Sequence, residues 1–114
     1  TALRETFEEI GLSVGADDIV GELPTFTTIT GFSVTPIVAI TQLTGPFVID
    51  KGEVAEVFSI PLGHLLAPHN HLFHTVTRHN TTYEVYFIPW QNTYVWGATA
   101  GMLINLAKLL GLRD

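Results

Sequence analysis

The order of elements in the sequence predicts a mixed α/β domain, with an opening helix, several strands and a closing helix that would place a sheet between helices. Three observations carry this. Residues 1–12 combine acidic and apolar side chains at helical spacing and run into Gly11. Residues 19–43 and 72–88 are rich in β-branched and aromatic residues, punctuated by Pro, Gly and Asn. Residues 98–110 set Met102, Leu103, Leu106, Leu109 and Leu110 at helical spacing ahead of Gly111. At 114 residues, with no repeat or linker, the chain is read as one domain.

Taken in order, the opening helix stops at Gly11, because glycine enters the left-handed region without a Cβ clash. Ser13 to Asp18 reads as a loop and Ile19 to Leu23 as a strand ended by Pro24. The Thr-rich stretch Thr25 to Gly31 is a loop or hairpin turn, and Phe32 to Leu43 a central strand. Pro36 has no N–H, so it belongs near that strand's start or where no donor is needed. Thr44-Gly45-Pro46 and Asp50-Lys51-Gly52 are turns, and Glu53 to Pro61 has no clear period. Pro61 to Leu66 makes a helical turn with Leu62, Leu65 and Leu66 inward. Strands at Leu72 to Arg78 and Tyr83 to Ile88 form a hairpin across His79-Asn80-Thr81, and the last helix spans Ala98 to Leu110. Trp96-Gly97 stands at its entrance and Thr99 in its first turn.

Composition narrows the function classes. Eleven acidic against five basic residues give a net charge of −6, which argues against binding a phosphate backbone without sequence preference, so no nucleic-acid partner is expected. No run reaches the roughly 18 apolar residues of a membrane span, and no membrane partner is expected. There is no cysteine, which removes disulfides and thiolate metal sites. Hydrophobic residues reach 46% against 14% charged, so apolar surface is expected to be covered by a partner, a homo-oligomer among the arrangements this allows. No export signal is visible, and the cytoplasm is the default location.

The chemistry concentrates in the opening helix. At helical spacing Glu5, Glu8 and Glu9 lie within about 60° of one direction, with Leu3, Phe7 and Ile10 opposite. Such a face can be ordinary solvated surface, with Arg4 pairing Glu8 four residues on. It can also hold a hard divalent cation, Mg²⁺ or Mn²⁺, which prefers oxygen ligands and removes the repulsion among three like charges.

The residue order favours the second reading. Arg4-Glu5-x-x-Glu8-Glu9-x-Gly11-Leu12 resembles the second half of the Nudix box, whose upstream Gly and Glu would fall before Thr1. Three further blocks resemble the coenzyme A pyrophosphatase branch of the Nudix hydrolases: Thr27-x-x-Thr30-Gly31-Phe32-x-Val34-Thr35-Pro36-x-Val38, Glu53-Val54-Ala55-Glu56-Val57-Phe58-x-Ile60-Pro61-Leu62, and Trp96-Gly97-Ala98-Thr99-Ala100. The resemblance implies an α/β/α sandwich with a mixed sheet. Residues 1–114 would be one partial Nudix domain, truncated at its N-terminus and starting within the Nudix-box helix. It also implies a Mg²⁺- or Mn²⁺-dependent hydrolase that cleaves the diphosphate of coenzyme A or its derivatives into adenosine 3′,5′-bisphosphate and 4′-phosphopantetheine. Glu8 and Glu9 would be the main metal ligands, Glu5 a further ligand or the base that orients water, and Arg4 the group that fixes a glutamate. The branch's coenzyme A signature would lie before Thr1.

Many Nudix enzymes add a later carboxylate. Glu84 is the candidate ligand, with Glu53 and Glu56 behind it; the alternative for Glu84 is a solvent-facing place on an alternating strand. His69-Asn70-His71 lacks a third ligand at recognisable spacing and is not assigned a metal; His64, His74 and His79 have no motif around them. The aromatic side chains are read as core or interface. Two rivals keep the fold and change the role: hydrolysis of another nucleoside diphosphate compound, such as ADP-ribose or a dinucleotide, or a non-catalytic Nudix remnant that binds or supports.

Overall fold

The computed structural model describes residues 2–28, 30–43, 45–54 and 56–114. Thr1 of the opening helix, Thr44 of the first turn and Ala55 of the stretch after Glu53 lie outside these residues. Two compact units are described in turn, residues 1–59 and 60–114.

In the first unit, α1 spans Ala2–Ile10. Gly11 ends it as the sequence predicts: its φ is 71° while its N–H still donates to the Phe7 carbonyl at 2.9 Å. The helix end does not rely on water alone. Val48 N–H donates to the Ile10 carbonyl at 2.9 Å and Asp50 N–H to the Glu9 carbonyl at 2.8 Å. Residues 48–50 thereby satisfy two of the carbonyls that every helix leaves unpaired at its C-terminus. A Cβ on Gly11 would sit 2.8 Å from Val48 Cβ, so the approach of this segment needs glycine's missing side chain as well as its φ.

The strands of this unit are short. β1 (Ile19–Glu22) pairs with β4 (Ile37–Ala39), and β2 (Phe26–Thr27) with β3 (Ser33–Val34), both antiparallel. The long strand expected over Phe32 to Leu43 is thus two short ones, divided at Thr35-Pro36. The reason is the missing N–H of Pro36. Its carbonyl still accepts the Leu23 N–H at 3.0 Å, and it is buried just ahead of β4, near a strand's start as expected. Between Ile19 and Gly21 the register shifts by a bulge.

In the second unit, β5 (Leu72–Arg78), β6 (Thr81–Trp90) and β7 (Thr93–Trp96) form an antiparallel sheet in that order. His79 and Asn80 both take positive φ, 51° and 60°, which makes the β5–β6 connection a two-residue turn whose twist suits a hairpin. β6 therefore starts at Thr81, and it continues past Ile88 to Trp90. No turn signal in the sequence announces β7; the chain turns back into it through Gln91-Asn92, with Gln91 at φ 51° where a glycine would signal the turn.

α2 (Leu62–Leu66) precedes the sheet and α3 (Gly97–Leu109) follows it, packed on α2, β6 and β7. Leu66 is buried and Leu65 half-buried, but Leu62 is exposed, against expectation. The buried face of α3 is Ala100, Ile104 and Ala107, not the leucine stripe; Leu109 and Leu110 face solvent, while Met102, Leu103 and Leu106 are half-buried. Alanines let the helix approach the fully buried Ile88 of β6 closely, and the larger residues then flank the contact. Gly111, at φ 74°, completes the stop: Leu112 N–H reaches the Ala107 carbonyl and Gly111 N–H that of Lys108, at 2.9 and 3.1 Å.

The described strands pair only antiparallel, in three small sheets, where a mixed sheet was expected. Parallel pairing needs a long crossover, and β2–β3, β5–β6 and β6–β7 are neighbours in sequence joined by short connections. Both units leave large apolar side chains open, Ile40 (72%) and Phe32 (70%) in the first and Trp96 (63%) in the second.

The two glycine stops separate two costs. Gly111→Ala meets no atom within 4 Å and carries only the left-handed penalty, about 1 kcal/mol. Gly11→Ala adds the Val48 collision, and we expect it to destabilise by at least about 1 kcal/mol more in urea unfolding. Equal effects of the two substitutions would show that residues 48–50 do not hold their place on α1.

Candidate functional site: the acidic face of α1

Glu5, Glu8 and Glu9 are all exposed on α1, as their spacing predicts, while Leu3 and Ile10 are half-buried. Phe7, on the apolar side, is 57% exposed. Arg4 Nε lies 3.8 Å from Glu8 Oε1, both side chains in solvent, a contact too long and too open to contribute much stability. The helix has no basic residue in its last turn. Glu8 and Glu9 therefore stand at the end where the backbone dipole is already negative, an arrangement that disfavours a helix taken by itself. A local rule broken without a structural gain marks a place where function is to be sought.

The docked segment adds to this end of α1. Asp50 is held there by its N–H on Glu9, and its Oδ1 accepts the Gly52 N–H at 3.0 Å while its carbonyl takes Glu53 and Val54 N–H. The sequence marks Asp50 only as part of a turn; its place beside Glu9 depends on pairing across about forty residues, which no local pattern announces. Glu53 and Glu56 are exposed.

The donor type suits a hard cation, since carboxylate oxygens are what Mg²⁺ and Mn²⁺ prefer. Among the described residues, however, no group of three or more His, Cys, Asp or Glu side chains is arranged to hold a metal by itself. Mg²⁺ sites on phosphate substrates commonly use one or two carboxylates and leave the rest to water and phosphate oxygens, and α1 can offer that much.

Relatives share this sequence nearly end to end. A protein of Cronobacter sakazakii named "Uncharacterized Nudix hydrolase NudL" is 36% identical over 110 residues, 96% of this chain and 57% of its own. Proteins of the same name from Escherichia coli are 33% identical over 114 residues, 98% of this chain and 58% of their own. The chain is a distant homologue of Nudix hydrolases. It spans somewhat under three-fifths of the length of these curated relatives. No family model matches it.

The later carboxylate that a Nudix reading invites, Glu84, lies on β6 in the second unit, exposed. Its Oε2 accepts the Tyr86 hydroxyl at 2.9 Å, two residues along the same strand face, a pairing that the i, i+2 spacing could have signalled. Two histidines of this unit, His64 and His71, are tied into the structure by hydrogen bonds. His64 Nε2–H donates to the Pro89 carbonyl, its Nδ1 accepts from Asn70 at 3.2 Å, and its ring meets Trp90 edge-on with centroids 4.9 Å apart. His71 Nε2–H donates to the Leu65 carbonyl at 2.7 Å and its Nδ1 accepts from Arg113 at 2.9 Å. Both nitrogens of each ring are thus engaged by protein groups. Trp96 and Gly97 begin α3 as the sequence suggests, Gly97 with φ 64°. No helix among the described residues is long and apolar enough to cross a membrane.

Among the described residues, Tyr86 carries the one clear electrostatic signature. Its hydrogen bond to Glu84 holds the phenol above its ordinary pKa near 10, burial and the Glu84 charge add to this, and Arg113 opposes it. A raised phenol pKa favours the protonated form in the fold, so this contribution is present at neutral pH and is lost as pH rises through the shifted value. Glu84→Ala should bring the Tyr86 midpoint down in an ultraviolet titration of the phenolate; an unchanged midpoint would mean that the pair is not formed.

Proposed function

We propose that this chain carries part of a Mg²⁺- or Mn²⁺-dependent Nudix pyrophosphohydrolase acting on the diphosphate of coenzyme A or its derivatives. The observation that carries the reading is the ordered set Arg4, Glu5, Glu8, Glu9 and Gly11 on a helix whose glutamates are exposed on one side and whose end is pinned by residues 48–50. Homology to Nudix hydrolases supports the reaction class, and the downstream blocks around Thr30-Gly31-Phe32, Glu53-Val54 and Trp96-Gly97 support the coenzyme A branch. On this reading residues 1–114 are part of one α/β/α Nudix domain. The exposed apolar side chains favour their being covered by further surface, a second copy of the chain being one way to do so.

Glu8 and Glu9 would hold the cation, with Glu5 as a further ligand or as the base that takes a proton from the attacking water. A bound divalent cation supplies positive charge against the diphosphate oxygens, which a chain of net charge −6 otherwise repels. Arg4 positions Glu8 and does not touch substrate. Glu84 is the weaker candidate for a later ligand, because its hydrogen bond to Tyr86 already occupies one oxygen.

The substrate is tested by comparing turnover of coenzyme A and ADP-ribose with Mn²⁺. Coenzyme A should be preferred, and a clear preference for ADP-ribose overturns the assignment in favour of another nucleoside diphosphate compound. Glu8→Gln and Glu9→Gln should each lower turnover by more than about tenfold.

A further inference from the structure

We propose that His71 and Arg113 form an acid-released latch, which ties the segment after α3 to the turn before β5 and opens when the imidazole takes a second proton. The geometry is a relay of two hydrogen bonds through one ring. Nε2–H donates to the Leu65 carbonyl at the end of α2, 2.7 Å away, which fixes the neutral tautomer with its lone pair on Nδ1. Arg113 Nη1 donates into that lone pair at 2.9 Å. A guanidinium does not give up its proton, so only the imidazole can change state. Protonation at Nδ1 removes the acceptor and sets two cations against each other at hydrogen-bond distance.

The surroundings give the released arginine somewhere to go. His71, Arg113, Glu84, Tyr86, Phe73 and Asp114 line one open groove of about 440 Å³, with Pro68 at its edge. From β6 the groups facing it are the Glu84 carboxylate and the Tyr86 hydroxyl; from the segment after α3 they are Arg113 and Asp114. β5 contributes the uncharged Phe73, and the turn before β5 carries exposed His69. From α2 comes the Leu65 carbonyl, while His64 is engaged with Pro89 and Asn70; Lys108, in the last turn of α3, is exposed. Arg113 makes no ion pair with the Glu84 or Asp114 side chain among the described residues; Nη1 donates to the neutral ring, and Nε–H donates weakly to the Asp114 backbone oxygen at 3.4 Å. Two carboxylates in the same groove are therefore available to it once the ring is charged, and the groove over Glu84 and Tyr86 changes shape with the switch.

Amide ¹H–¹⁵N spectra of the 114-residue chain, recorded through a pH titration beside the His71 ring signals, test this. The amides of Leu112, Arg113 and Asp114 should move with the His71 midpoint. In His71→Gln, which keeps an acceptor but cannot titrate, that movement should disappear. The latch is overturned if those amides stay still while His71 titrates, if they follow a carboxylate midpoint instead, or if His71→Gln leaves their response at its wild-type amplitude. Should that variant fail to fold, the wild-type titration decides by itself.

Discussion

The arrangement on which the first unit's candidate site depends is the docking of residues 48–50 on the C-terminal end of α1. Helix ends leave carbonyls without partners, and here those of Glu9 and Ile10 receive backbone N–H groups from far along the chain. Because Gly11 has no Cβ, Val48 can come within the distance that this pairing requires. A nine-residue helix by itself is marginal in water, and one with Glu8 and Glu9 at its negative end more so. The docked segment therefore supplies what the isolated sequence lacks, and in doing so it holds three carboxylates at fixed spacing.

This gives the glycine of the motif two physical roles. Its left-handed backbone stops the helix, and its missing side chain admits the strap that keeps the helix formed. The contrast is Gly111, which also stops a helix at positive φ but has open space around its Cβ position. Both stops were legible from sequence because the conformational rule is local. The strap was not, because it rests on backbone hydrogen bonds between segments with no side-chain signature.

The same division runs through the rest of the chain. β5, the hairpin after it and the extent of α3 follow from periodicity and turn residues near in sequence. β7 is hidden from the sequence because Gln91 takes the positive φ that a glycine would advertise. The helical spacing of the large residues marks α3 but not its core face; close helix–sheet contact selects Ala100 and Ala107 there. At the candidate site, Glu5, Glu8 and Glu9 were legible through their order beside Arg4 and Gly11, and the structure adds their shared exposure. His71 and Arg113 were illegible, being 42 residues apart with no motif to join them.

The acidic face of α1 is in tension with its own helix, and a divalent cation is the simplest agent that relieves it. Titration of Mn²⁺ followed by electron paramagnetic resonance tests that directly. The account predicts a bound fraction that falls in Glu8→Gln and in Glu9→Gln and is kept in Gly111→Ala, which disturbs a helix end elsewhere. Mn²⁺ binding unaffected by either glutamate substitution would contradict it.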